Sequence, residues 1–402
     1  DFSTGFMDGR DYRGLALYSG TNWTSKLGAT GIDLGYSDRP FGANQFYGNY
    51  NSWERTKTWM GSFRQSIGER TEASLGYRRH TDLFVLSRDR PQVYANHHVA
   101  ESWHASLRRR ETLAQGVSFY YGGEGFGDSI DSTNLGRHDR RRGAAYTLLD
   151  VRMLKNFSLS AGMRAESHRG LSEWNPSLAG GYWAGGKLKL RGSVSKAFRL
   201  PTFTDLYYRD PANRGDAGLK PEHAWNYEAG ADYRPGTNWR LQSTIFRRHD
   251  SNIIDYARTS PDSYWQAMNV QRLNFTGLES SISWRGHGQV AGWSYTALKG
   301  STAPLAGLQS KYAFNYASHS GVFAWTALLP GSIALRTRVG ALQRVNQNGY
   351  GVWDLSATKA LGRFRPYVQF GNLTSTRYEE IVGVTMPGRS VVAGLELIWQ
   401  GR

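Results

Sequence analysis

The stretch "VVAGLELIW", Val391 to Trp399, decides the fold. Val391, Ala393, Leu395, Leu397 and Trp399 fall on one side of an extended chain, and Val392, Gly394 and Glu396 on the other. Successive side chains of a strand point to opposite faces, so this is a strand with one greasy face. The same period of two recurs in "IALRTRVGA", where Ile333, Leu335, Thr337 and Val339 oppose Arg336, Arg338 and Gly340. In "EASLGYR", Ala73, Leu75 and Tyr77 oppose Glu72, Ser74, Gly76 and Arg78. No stretch carries convincing i, i+3, i+4 periodicity, so the chain reads as all-β.

The connections alternate as well. Short turns are expected at 66–70, 183–187, 234–238, 285–289, 329–332 and 361–363. Longer polar and aromatic links are expected at 41–54, 87–101, 126–140, 199–222 and 250–272. Short turn, long loop, short turn is the rhythm of an up-and-down meander with one plain end and one elaborated end. The segments number close to 20 at a spacing of roughly 18 residues, too many for one soluble sandwich.

Composition narrows the choice between sandwich and membrane barrel. Of 402 residues, 39% are apolar, a modest share for a thick core, whereas aromatics reach 13% and glycines number 47. No run approaches the ~20 apolar residues of a spanning helix, which excludes helical membrane proteins but not strands that alternate. Tyr77, Trp183, Trp239, Trp293, Trp325 and Trp399 are placed near strand ends as interfacial girdles. The pairs Arg336/Arg338 and Arg363/Arg365 suit an aqueous bore. Net charge is +16, which favours anionic partners. Cys is absent, so thiol and disulfide chemistry are excluded. The chain opens on "DFSTGFMDGR" without a signal-peptide pattern.

Three passages in order carry a family resemblance. "SKAFRLPTFTDLYY" is followed by "GLKPEHAWNYEAG"; "NIIDY" runs to "NVQRLNFTGLESSISW"; and "VQFGNLTSTRYEEIVGVTMPGRSVVAGLEL" closes the chain. Together they resemble the barrel portion of TonB-dependent outer-membrane receptors, which import cobalamin and ferric siderophores. "SDRPFGANQFYG" and "YRRHTDLFVLSRDRPQVYANHHV" are similar to the cobalamin-receptor type. The resemblance implies an antiparallel transmembrane β-barrel of the 22-stranded kind, residues 1–402 being one barrel domain. Counting back from Trp399 reaches roughly 19 strands, and no plug or TonB box is found, so the chain reads as incomplete at its N-terminus. The family's last strand ends on an aromatic; here Trp399 is followed by Gln400, Gly401 and Arg402.

The function implied is active import of a scarce metal chelate across the outer membrane, a corrinoid before a ferric siderophore. The partners implied are the TonB complex through a plug, outer-membrane lipid and lipopolysaccharide, and the chelate itself, with no nucleic acid. No cofactor is expected, although the cargo would contain Co or Fe. A passive porin and an outer-membrane barrel enzyme are the alternatives; no Gly-x-Ser-x-Gly elbow supports the latter, and no catalytic residue is expected. Turn parity puts the long links outside. Phe46, Tyr47 and Trp53, then Arg90, Tyr94 and His97, then Phe203, Tyr207, Tyr208 and Arg209, and finally Tyr264 and Trp265 are the candidate ligand contacts. Tyr supplies a rigid amphipathic surface, and Arg a forked donor for oxyanions. His97 and His98 are adjacent and would diverge, and His98 with His104 lacks a third ligand, so no metal site is expected. Asp128, Asp131 and Asp139 offer oxygen ligands for Ca²⁺ without the spacing of a calcium loop. In Arg108–Arg110 and Arg140–Arg142, alternation would send side chains to both faces.

Overall fold

A computed structural model of the chain describes residues 2–3, 8–302, 307–311, 316–381 and 384–398. The main strands run β1 (Leu15–Ser25), β2 (Gly28–Gly42), β3 (Trp53–Ile67), β4 (Thr71–Val85), β5 (Ala95–Ala114) and β6 (Val117–Ser132). Then come β7 (Gly136–Leu154), β8 (Phe157–His168), β9 (Leu171–Ala184), β10 (Leu188–Arg199), β11 (Glu222–Tyr233), β12 (Trp239–Arg258) and β13 (Trp265–Gly286). The series ends with β14 (Gln289–Thr302), β15 (Ala317–Leu329), β16 (Ile333–Arg344), β17 (Tyr350–Lys359), β18 (Phe364–Gly371) and β19 (Ser390–Leu397). Each of these 19 strands pairs antiparallel with the next, a pure meander in the number expected. Among the described residues β1 pairs only with β2, and β19 only with β18.

Register confirms the two faces. Cross-strand partners share a face, so Trp59 beside Tyr36 (ring centroids 4.3 Å apart), Phe63 beside Leu75, and Ile245 beside Leu278 form one apolar surface. Among the described residues nothing covers that surface: Leu34 is 58% exposed, Ile245 60% and Leu395 62%. A soluble sandwich would hide these residues against a second sheet. Here they are the outer wall. The opposite face carries Asp33, Glu72, Arg108, Glu124, Arg142, Arg164, Glu166, Arg336, Arg338 and Asp354, as a water-filled bore requires.

Alternating ends hold as well, with differences in detail. One end has brief connections at 26–27, 68–70, 115–116, 155–156, 185–187, 234–238, 287–288, 330–332 and 360–363. At 287–288, His287 and Gly288 both have positive φ (50° and 71°), the left-handed pair a two-residue hairpin needs. The other end carries 43–52, 86–94 and 200–221 as true loops. The expected links at 126–140 and 250–272 are mostly strand. β6 and β7 leave only 133–135 between them, and β12 and β13 leave only 259–264. Both hairpins run on past the apolar band, because their polar residues keep pairing once the wall meets water.

Some residues also change place. Tyr77 lies midway along β4 rather than near an end. Trp183 pairs with Lys189 on the bore face, where the Lys189 ammonium sits 4.5 Å from its ring, so it is not part of a lipid girdle. Trp239, Trp293 and Trp325 do face outward near the plain end, Trp239 against Trp284. Trp399 lies outside the described residues. The ladder between β9 and β10 covers only Ser177–Ala184 against Leu188–Ser195. Above it, Leu171–Pro176 keep pairing only with β8, and Glu173 spans the split, accepting from His223 (2.9 Å) and meeting Lys196 (3.6 Å).

The face assignment is testable. Ile245→Arg, on the lipid side, is expected to cost about 2–4 kcal/mol and lower the folded fraction in bilayers. Ser281→Arg, on the bore side, is expected to leave it unchanged. Equal effects in a lipid-vesicle folding titration would overturn the assignment.

Candidate functional site

The elaborated end is organised by the 200–221 loop. It opens with the short helix α1 (Phe203–Tyr207), capped by Thr202, whose hydroxyl accepts from the Asp205 amide (3.0 Å) while Asp205 accepts from the Thr202 amide (2.9 Å). Arg199 then ties both ends of the loop together. Its guanidinium donates to both Glu222 oxygens (2.6 and 2.9 Å) and to Asp205 (3.1 Å), and Glu222 also accepts from the Ile254 amide (2.7 Å). This clamp is the physical content of the "FRLP…LKPE" pattern. The loop leans on β13 through Trp265 N to Ala212 O (2.8 Å), Gln266 to Gly215 O (3.1 Å) and a two-way bond between Lys220 and Asn269 (2.9 and 3.0 Å). Gly215 packs on the helix so closely that a Cβ would lie 2.7 Å from the Leu206 carbonyl carbon.

On the other side the loop meets β7. The Tyr207 ring stacks on His138 at 3.6 Å and 9°, and Phe203 lies 6.1 Å from the same imidazole. The Arg140 guanidinium sits 5.2 Å from the Phe203 ring and donates to Pro201 O (2.8 Å). From here an aromatic ledge continues. Tyr208 interacts with Tyr94 through their hydroxyls, and burial raises the Tyr208 phenol above its ordinary range. Tyr94 accepts from Asn134 (2.6 Å) and Asn96 (2.9 Å). Phe84 stands 6.3 Å from Tyr94 and 4.8 Å from Tyr47, and Phe46 is 4.8 Å from Tyr47. Burial, with Glu54 3.3 Å away, pushes the Tyr47 phenol up to about 12, so it stays a neutral donor at any physiological pH.

The structure therefore joins Phe46, Tyr47, Tyr94, Phe203, Tyr207 and Tyr208 into one surface. Tyr264 and Trp265 belong to a second group, which Arg209 reaches only through its backbone bridge to Arg214. The Arg214 guanidinium lies 3.9 Å from the Tyr264 ring, while the Arg258 guanidinium and the Lys311 ammonium lie 4.2 and 5.7 Å from that of Trp265. Three expected contacts, Trp53, His97 and Arg90, do not join. Trp53 pairs with Val85 on the outward face shared with Trp59, and His97 likewise lies on the outward face, in register with Leu83. The period of two turns both away from the bore. Arg90 is exposed at the 86–94 loop.

Below the ledge the bore wall carries a charge network. Asp128 meets Arg140 (3.5 Å) and Arg142 (3.4 Å), and Arg142 donates to Glu166 (2.8 Å). Arg164 binds Glu166 (3.0 Å) and Glu124, while Arg142 stacks over Phe126 at 4.6 Å. As alternation requires, Arg140 and Arg142 share this face and Arg141 does not. The three aspartates do not converge on a cation: Asp131 pairs with Arg137 (2.7 Å), and Asp139 lies on the opposite face from Asp128. No group of three or more His, Asp or Glu suited to a metal occurs among the described residues. Sequence does not single out Phe84 or His138, and it marks Arg140 only as part of a basic run. Their alternation is visible there, but only register brings them beside the loop.

The family described as TonB dependent receptor-like, β-barrel, matches residues 3–374. The vitamin B12 transporter BtuB of Photobacterium profundum is 26% identical over 182 residues, 44% of this chain and 29% of that protein. BtuB of Vibrio vulnificus is 27% identical over 173 residues, 42% of this chain and 27% of that protein. The chain thus spans under a third of the length of these curated relatives. Among solved structures, a mutant ferric enterobactin receptor PfeA of Pseudomonas aeruginosa with enterobactin gives a TM-score of 0.78 at 16% identity. That match covers 96% of this chain and 70% of that one. A double mutant of the Serratia marcescens hemophore receptor HasR, in complex with HasA and heme, also gives 0.78 at 15% identity, covering 96% and 72%. At such identities the likeness is one of fold.

Removing the clamp tests the loop. Each charge-assisted bond of Arg199 is worth about 1.5–3 kcal/mol, so Arg199→Ala is expected to raise proteolytic cleavage within 200–221 roughly tenfold or more while the strands stay protected. Gly215→Ala is expected to do the same by steric conflict with the helix. Unchanged cleavage in both variants would show that the loop is held by something else.

Proposed function

This chain belongs to the TonB-dependent receptor-like β-barrel family of the outer membrane, and we propose that it serves as the barrel of an active importer of a bulky metal chelate. Its family and structural neighbours are receptors and transporters rather than enzymes. The observation that carries the proposal is the mouth. Seven aromatic residues from separated segments, Phe84 among them, meet on one ledge, held by ring contacts and hydrogen bonds. A ledge of that kind offers broad stacking area at low entropic cost. It suits a flat macrocycle, and the likeness to vitamin B12 transporters favours a corrinoid over a ferric siderophore. The metal belongs to the cargo; the barrel itself needs no cofactor. Energy would come from the TonB complex acting through a plug within the bore, and lipopolysaccharide would surround the outer wall.

Equilibrium binding of cyanocobalamin and a panel of ferric chelates to the full-length receptor tests this, with uptake measured in cells with and without TonB. The expected result is saturable binding of one class and uptake that vanishes without TonB. Tyr207→Ala and Phe46→Ala should each weaken binding roughly fivefold or more, the cost of about 1 kcal/mol per lost ring contact. Unsaturable, TonB-independent passage of many small solutes would instead make the chain a porin.

A further inference from the structure

The 200–221 loop holds a feature that ring stacking leaves unexplained. Arg209 and Arg214 are directly opposite each other across a single antiparallel bridge. The bridge is closed by Asp210 N to Asn213 O (2.9 Å) and Gly215 N to Tyr208 O (2.7 Å). Residues directly opposite in an antiparallel pair project to the same side, and like charges placed so repel. A nearby carboxylate would normally relieve that repulsion. Asp210 is the adjacent one, but it is committed elsewhere: Oδ1 accepts from the amides of Ala212 (2.7 Å) and Asn213 (2.5 Å), and both oxygens accept from Asn213 Nδ2 (3.1 Å each). Neither arginine has an ion pair among the described residues.

Both line one cavity of about 470 Å³ with Asp210, Gly215 and Gln266. The walls are fixed. Asn213–Arg214 pair in parallel with Trp265–Gln266, Gln266 Nε2 donates to Gly215 O (3.1 Å), and the Arg214 guanidinium is held 3.9 Å from the Tyr264 ring. Two guanidinium forks of like charge, both exposed at the edge of an open cavity, form a site that an oxyanion completes.

We propose that Arg209 and Arg214 form an oxyanion subsite that grips a carboxylate or phosphoryl group on the incoming chelate. This deepens, and rests on, the reading of the chain as a chelate importer. The subsite accounts for charge recognition, while the aromatic ledge supplies shape. It also sorts ligands: a chelate lacking an exposed oxyanion would leave two like charges uncompensated and bind more weakly than its size suggests.

The test uses the full-length receptor with radiolabelled cyanocobalamin, which carries a phosphodiester, and ferric citrate, which carries carboxylates, as the two probes. Wild type, Arg209→Ala/Arg214→Ala, Arg209→Lys/Arg214→Lys and an Arg137→Ala control are compared at several salt concentrations. The proposal expects the alanine pair to weaken the bound probe roughly tenfold to a hundredfold and to flatten its salt dependence. The lysine pair should recover part of the affinity, because charge returns without the fork, and the control should match wild type. The thermal midpoint of the alanine pair should not fall, since removing like charges relieves repulsion. If wild type binds and imports a probe while the alanine pair binds it within twofold at every salt concentration, the subsite is overturned and the importer reading stands. If wild type neither binds nor imports either probe, both fall together.

Discussion

Everything in this molecule depends on a sheet one layer thick with a different solvent on each side. Lipid supplies no hydrogen-bond partners, so the backbone must satisfy itself through the ladder. Side chains then sort by parity alone. That is why Ile245 and Leu395 are largely exposed while Asp33, Glu124 and Arg142 face the bore one pleat away. The apolar residues that are buried lie mostly toward the elaborated end: Ala257 and Ala267 are fully buried beneath the stitched outer segments, Ala43 opens the 43–52 loop, and Val85 immediately precedes the 86–94 loop.

The outer end follows from the same rule once the wall leaves the membrane. A spanning strand needs about 9–11 residues, whereas β12 and β13 have 20 and 22. Their excess becomes scaffold. Loop 200–221 lays Asn213–Arg214 along β13, and Gln309–Ser310 pair with Ala257–Arg258 of β12. The mouth is therefore made of strand edges and clamped turns, so its rings are already set in position, and a ligand of the proposed kind would have little ordering entropy to lose there.

Much of this is legible in the sequence. Period-two patterning and Gly- and Pro-marked turns fix the meander, the strand number and the lipid face, because parity is a local property. Loop length fails where local composition misleads: "DSIDSTNLGRHDR" and "DSNIIDYARTSPDSYWQ" read as polar links, yet a strand that has left the bilayer is free to be polar on both faces. Trp53 and His97 are misplaced for a related reason. They neighbour loop residues in sequence, but one step along a strand reverses the side chain. The His138–Tyr207 stack and the Arg140 contact with Phe203 join residues more than 60 positions apart, and only register reveals such meetings. The Arg209–Arg214 pair is half visible. Arg209 stands out as a forked donor, but its partner depends on a turn that sequence leaves undrawn.

The split between β9 and β10 gives the wall a grain. Along most of the wall adjoining strands are riveted by backbone amides, but between Leu171–Pro176 and the top of β10 the fastening is Glu173 with Lys196 and His223. Ionic fastenings loosen with electrolyte, whereas amide rivets do so far less. The wall thus has a panel here whose stiffness is set by the surrounding medium, on the flank where the chain rises into the 200–221 loop.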